Sequence, residues 1–166
     1  GHLVLSTLHT NDAPSTVTRM IDMGVEPFLI ASSVIASVSQ RLARKLCSNC
    51  KEPTQPSRDQ LLGLGFDPDA PENRDIVFYT GRGCPACRNT GYKGRIGIYE
   101  MMTMNTEIRE LIVKRASADQ IKEAALANGM ITLGMDALRK AMEGITDIDE
   151  ILRVLPEAVR RVRSRC

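Results

Sequence analysis

Tryptophan is absent from this 166-residue chain, and aromatic residues make up only 4% of it. Any core must therefore be aliphatic, built from Leu, Ile, Val, Ala and the eight methionines. No apolar run approaches the ~18 residues that a membrane-crossing helix needs. No basic segment leads into an apolar stretch at the start, so a secretion signal is not expected. There is no G-x-x-x-x-G-K-[ST] loop and no glycine-rich dinucleotide turn, so the chain carries no phosphate cradle of its own. The net charge is only +2, from 22 basic and 20 acidic residues, which by itself does not point to nucleic acid. That balance hides an asymmetry, because residues 153–165 hold five arginines against Glu157. With 43% hydrophobic and 25% charged residues, the composition is that of a globular chain and argues against disorder. The length suits one ordinary domain or two small ones.

Residues 3–8 form a β-rich apolar run that reads as a short buried strand. It begins almost at the first residue, with no initiator Met, so the chain is expected to be a fragment of something longer. Asp12 is placed to cap a helix, with Pro14 in its first turn, Val17, Met20 and Ile21 on one face and Gly24 as its stop. A second helix is expected from Pro27 to Cys47, because Ile30, Val34, Val38 and Leu42 recur at i+4. Residues 47–95 are rich in Pro, Gly and Cys, with one helical turn near residues 60–64 and a strand near 76–79. Strand character returns at residues 95–100. Beyond Asn105 the pattern is helical: a helix with Ile108, Leu111 and Ile112; one opened by Ser117 and Gln120 at capping-box spacing and closed by Asn128 and Gly129; one capped by Thr132 with Met135, Leu138 and Met142 inward and Gly144 as its stop; and one opened by Thr146 and Asp149.

Cys47-Ser-Asn-Cys50 and Cys84-Pro-Ala-Cys87 are two CxxC pairs with 33 residues between them. Two cysteines three apart can turn both thiolates toward one ion, and two such knuckles complete a tetrahedron around zinc. The separation exceeds the usual ~15–20 residues, so an insertion is expected between the knuckles. Two disulfides or unrelated free thiols are the alternatives; no secretion signal supports disulfides, and CxxC bridges would be of redox rather than structural type. Four thiolates would close the coordination sphere, which makes zinc structural. Cys166 reads as a free thiol.

His2 and His9 are the only histidines, and they bracket the first apolar run. His9 lies at its carboxyl end among Thr7, Thr10 and Asn11, where open α/β sheets place their ligands. Such polar groups suit a phosphate oxygen or a polarised water. The plainer alternative is that His9 only hydrogen-bonds a loop.

Four collinear motifs resemble one family. GHLVLSTLHTNDA (residues 1–13) resembles the histidine box of the secretion-motor ATPases, which drive type II secretion and type IV pilus assembly. SQRLARKLCSNC (39–50) resembles that family's lead into its tetracysteine motif. Cys84-x-x-Cys87 followed by TGYKGRIGIYE (90–100) resembles its second knuckle and the strand after it. Gly129-Met, and Gly144-Ile-Thr with DEILR (149–153), resemble its C-terminal helical motifs. The departures are small: Asp136-Ala137 where Asp-Gly is usual, and Asp147-Ile where Thr-Leu is usual.

The resemblance implies an α/β fold, the C-terminal part of a RecA-like P-loop ATPase domain with an inserted tetracysteine zinc subdomain and a C-terminal helical subdomain. The expected limits are 1–46 for the ATPase core, 47–95 for the zinc subdomain, 96–156 for the strand and helical subdomain, and 157–166 for a basic tail. It implies a homo-hexamer hydrolysing MgATP, cytoplasmic and peripheral to the inner membrane, docked on a membrane platform protein. Walker A and B would then lie upstream, and the chain alone would be inactive. His9 matches the histidine near the γ-phosphate and His2 the first histidine of the box. Thr7, Thr10 and Arg41 are candidate nucleotide-site residues, Arg41 within a Gln-Arg pair that fits a structural or intersubunit role. Cys47, Cys50, Cys84 and Cys87 are the metal ligands. Retraction motors lack the tetracysteine insert, so an assembly or secretion motor is expected. The rival reading is a zinc-ribbon nucleic-acid or protein-interaction module, since Arg82, Arg88, Lys93 and Arg95 interleave with Tyr79, Tyr92 and Tyr99.

Overall fold

The computed structural model describes residues 2–156, so the basic tail at 157–166 and Cys166 lie outside the described residues. In chain order the elements are α1 (Ala13–Asp22), α2 (Pro27–Ser33), β1 (Ala36–Leu46), β2 (Lys51–Thr54), α3 (Arg58–Gly63), β3 (Phe78–Gly81), β4 (Tyr92–Thr103), α4 (Thr106–Val113), α5 (Ala118–Ala127), α6 (Leu133–Met142) and α7 (Ile148–Val154). β1 pairs with β4, and β2 pairs with β3. The chain divides into two compact units. One takes residues up to 39 and 99–132, the other residues 40–98 and 133 onward.

The first unit is helical. Its core is aliphatic and sulfur-containing: Val17, Ile30, Met102, Ile108, Ile112, Ile121 and Met130. Three of its helices begin where side chains can satisfy the free N–H groups of the first turn, while α2 opens on Pro27 without a side-chain cap. Asp12 accepts from the Ser15 N–H, Asn105 from Ile108, and Ser117 with Gln120 makes a complete capping box. Asp12 also pairs with Lys122 at 3.0 Å, which ties α1 to α5. Burial pushes the Asp12 carboxyl up, but hydrogen bonds from Ser15 and the Lys122 ammonium outweigh it and hold it below its usual range. The buried Glu100 carboxylate accepts the Ala13 N–H at 2.8 Å.

Two expectations fail in this region. Residues 3–8 do not form a strand; Leu3, Val4 and Leu5 are 77–88% exposed. A strand exists only with a neighbour for its N–H and C=O groups, and none of the described strands pairs with this run. The helix expected from Pro27 to Cys47 ends at Ser33, and β1 follows. The i+4 series that suggested a helix is also a multiple of two, so Val38 and Leu42 fall on one face of a strand, and both are exposed. The opposite face buries Ser37, Ser39 and Ala43, small residues that a search for large apolar side chains passes over; Leu46 is buried at the end of the strand.

The second unit holds the cysteines. Its core is Ala43, Leu61, Phe66, Phe78, Ile98, Leu133, Ala137, Ala141, Ile148 and Ile151, with Phe66 and Phe78 edge to face at 5.5 Å. In α6, Met135 faces solvent at 53% exposure rather than inward, while Lys140 is buried, donating to Gly97 O at 2.9 Å and pairing with Asp136. The cap of α7 is Asp147, which accepts from the Glu150 N–H. Thr146, the expected opener, instead donates its hydroxyl to Arg44 O at 2.9 Å. Among the described residues no helix is long and apolar enough to cross a membrane.

Candidate metal centre

The insertion between the two CxxC pairs is an excursion closed by its own ladder. β2 leaves Cys50 directly and pairs antiparallel with β3, Lys51 opposite Gly81 and Thr54 opposite Phe78. The ladder returns the chain to Gly83 and Cys84 with α3 carried between the strands, so the long spacing adds no slack at the site. Two glycines let the strands of chain meet there. A Cβ on Gly81 would lie 2.2 Å from Gly91 O, and Gly91 itself has φ +78°, a region that only glycine enters freely. Gly91 O accepts the Cys47 N–H at 2.9 Å, which links the second knuckle to the first.

Each knuckle is one tight turn, with Cys50 N donating to Cys47 O at 3.2 Å and Cys87 N to Cys84 O at 3.1 Å. The Sγ atoms of Cys47, Cys50, Cys84 and Cys87 all lie within 4.8 Å of one another. The separations are 3.8 Å for Cys47–Cys84, 3.9 Å for Cys50–Cys87 and 3.8 Å for Cys84–Cys87. Sulfurs ~2.3 Å from a tetrahedral zinc are ~3.8 Å apart, so the donor set fits zinc. The same distances are far from the ~2.05 Å of a disulfide. The backbone is arranged for thiolate: Cys84 N–H and Gly91 N–H both point at Cys87 Sγ, at 3.2 and 3.3 Å. Burial pushes the Cys87 thiol up, but those N–H groups and the neighbouring thiols bring it down to about 6. Burial pushes Cys50 up to about 12. A cation shared among the four sulfurs would remove that penalty, since coordinating thiols are deprotonated outright.

The segments that enter and leave the knuckles meet the corner between α6 and α7. Arg44 stacks its guanidinium 3.9 Å over the Tyr92 ring and donates to the fully buried Glu150 carboxylate from Nε at 2.9 Å and from its terminal nitrogen at 2.7 Å. Arg44 N–H donates to the same carboxylate at 2.8 Å, and Arg153 completes the set. Burial raises Glu150, but the two arginines outweigh it and hold the carboxyl at about 2. Tyr92 OH donates to Asp147 at 2.7 Å. Sequence reasoning quoted Glu150 and Arg153 within a motif but gave them no role; their i,i+3 spacing was the signal available.

The remaining candidates do not gather at this centre. His2, Thr7 and His9 are exposed in a segment without regular structure. Thr10 is half-buried and shares a hydrogen bond with Thr16 at 3.0 Å. Arg41 is half-buried on β1, and its guanidinium donates to Gln40 O at 3.2 Å. The rings that a nucleic-acid module would need are partly engaged: Tyr92 lies under Arg44, and Tyr79 carries Lys51 at 4.7 Å.

Comparison with known proteins bears on the whole chain. The model of the family described as type II/IV secretion system protein matches residues 1–153. The chain is 45% identical over 156 residues to the type IV pilus assembly ATPase TfpB of Acinetobacter baylyi, covering 94% of this chain and 26% of that protein. It is 47% identical over 152 residues to the type IV pilus assembly ATPase PilB of Thermus thermophilus, covering 92% and 17%. It is 43% identical over 157 residues to the type II secretion system protein E of Pseudomonas aeruginosa, covering 95% and 30%. The chain thus spans a third or less of the length of these relatives.

Proposed function

Because the chain belongs to the family of type II/IV secretion system proteins, we propose that it is part of a motor ATPase that powers type II protein secretion or type IV pilus assembly. The observation that carries this reading is the family match along residues 1–153. The motor is a RecA-like homo-hexamer, cytoplasmic and peripheral to the inner membrane, and it engages a membrane platform protein rather than nucleic acid. Residues 1–46 complete the ATPase core, 47–95 are the zinc subdomain, 96–156 the helical subdomain and 157–166 a basic tail. Bound MgATP supplies the phosphoryl group and the metal charge that neutralises it.

This chain's contribution to that chemistry is the segment at residues 2–10. His9 lies at the end of an apolar run whose backbone is free to join the sheet of the parent protein. Its exposure leaves its ring available to donate a hydrogen bond to a γ-phosphate oxygen, with the hydroxyls of Thr7 and Thr10 beside it. His2 stands at the far end of the run, and Arg41 supports the site from β1. Cys47, Cys50, Cys84 and Cys87 hold zinc as a structural ion, since four thiolates leave no open coordination position.

In the full-length hexamer, His9→Ala is expected to lower kcat by roughly 10- to 1,000-fold, the scale of one lost transition-state contact. Melting temperature should change far less than kcat, because His9 belongs to neither apolar core of the chain. Steady-state ATPase kinetics with thermal melts check both. A variant with wild-type kcat removes His9 from the mechanism; a loss of melting temperature restored by Asn or Gln makes it a structural residue.

A further inference from the structure

Residues 144–147, the corner between α6 and α7, are bonded one after another to the chain on either side of the cysteines. Gly144 O accepts Lys51 Nζ at 3.2 Å, and Lys51 follows Cys50. Ile145 O accepts the Leu46 N–H at 2.8 Å, and Leu46 precedes Cys47. Thr146 donates its hydroxyl to Arg44 O. Asp147 accepts from Tyr92 OH, one residue beyond the Gly91 that contacts both knuckles. The corner is tight as well as bonded: a Cβ on Gly144 would lie 2.8 Å from the Tyr79 ring and 2.9 Å from Lys51 Nζ. Glu150, one turn into α7, then binds Arg44 through three nitrogens. All of these groups belong to one compact unit.

We propose that this corner and Glu150 are the positioning shell of the metal centre, so that filling the four-cysteine site and docking α7 are one coupled equilibrium. The proposal rests on the zinc reading above. A tetrahedral site needs its four sulfurs held together, and the Gly91 bonds that join the two knuckles leave the chain entering and leaving them to be held from outside. The corner fixes the chain immediately before Cys47, immediately after Cys50 and just beyond Gly91, which limits the motion of both knuckles. By linkage, whatever α7 docking contributes to metal affinity, metal contributes to α7 docking by the same factor. Zinc then does more than staple a loop. It determines whether α7 stays in place.

The test compares the full chain loaded with zinc and stripped by chelator, with Tyr92→Phe and Glu150→Gln as variants. Hydrogen exchange of the α7 amides should speed up at least 10-fold on stripping, while the amides of α4 and α5 hold their rates. Zinc affinity, read by competition with a chromophoric chelator, should fall about 10-fold in Tyr92→Phe, within the 10- to 100-fold range for outer groups of metal sites. Tyr92→Phe keeps the ring under Arg44 and loses only the bond to Asp147, so it folds even if Glu150→Gln does not. A purely structural role would lower the melting temperature of loaded and stripped protein alike and leave zinc affinity unchanged. A wild-type chain that takes up no zinc overturns the metal reading. One equivalent of zinc with unchanged α7 exchange, or with wild-type affinity in a folded Tyr92→Phe, overturns the coupling alone.

Discussion

The two units each bury an apolar core but differ in what holds the rest of the chain. The first packs four helices around Val17, Ile30, Ile108, Ile112 and Ile121, and three of the four, α1, α4 and α5, are capped by a nearby side chain. The second takes up 23 residues between β2 and β3 with one short helix and a 3-10 turn. Its knuckles have almost no apolar core beyond the cysteines themselves. Apolar burial supports both cores, while in the second unit converging thiolates, glycine contacts and a buried ionic cluster hold the knuckles that its core does not reach. A region poor in regular structure therefore needs strong directional bonds, because loop backbone costs as much conformational entropy to order as helix and returns less burial.

The largest expected effect breaks that contrast outright. If the four cysteines hold zinc as proposed, stripping the metal with a chelator withdraws a binding free energy of about 10–16 kcal/mol on the scale of structural zinc sites, and replacing Cys84 with Ser weakens the site by removing one of its four thiolates. Limited proteolysis should then cut within residues 47–95 and spare residues 105–130. Cleavage spread evenly along the chain would show that the first unit also depends on the metal.

Ile121→Ala is the converse experiment. Ile121 is fully buried in the helical core, and the substitution should cost about 2–5 kcal/mol in a urea melt of the first unit. The zinc content should stay at one equivalent. Loss of metal in this variant would mean that the two units are not independent in the way their separate cores suggest.

Acid gives the smallest effect and sharpens the account of the second unit. The Glu150 carboxyl lies at about 2, below its ordinary value of 4.5. A group depressed on folding contributes stability that is fully present above its unfolded pKa and lost as pH falls through its folded one. Denaturant midpoints of the second unit should therefore decline between pH ~4.5 and ~2. In Glu150→Gln that part of the decline should be missing. Equal slopes in both proteins would remove the carboxylate from the acid response.

Parts of this architecture could be read along the chain. Asp12, Asn105 and the Ser117–Gln120 box act within one turn of the helices they start, so their meaning is local. The two CxxC pairs carried their chemistry in their spacing, and the four motifs around them sufficed to recognise the family. Residues 36–46 were misread because helix and strand both satisfy an i+4 recurrence. The pairing of β1 with β4, which decides between them, is invisible from within the segment. Residues 3–8 have a strand's composition and, among the described residues, no strand beside them.

What the sequence determined by itself is the set of interactions that act over a few residues: caps, turns, knuckles and the ligand type at each of four positions. The tertiary structure alone decided which distant groups meet. It brought Cys47 to within 3.8 Å of Cys84 across 37 positions, and Arg44 onto Glu150 across 106. It also set the glycine contact of Gly81 with Gly91 that allows the knuckles to close. Such contacts depend on the folding of all the chain between their partners. No window of sequence shorter than that separation contains both of the groups whose charge, shape and burial make the bond.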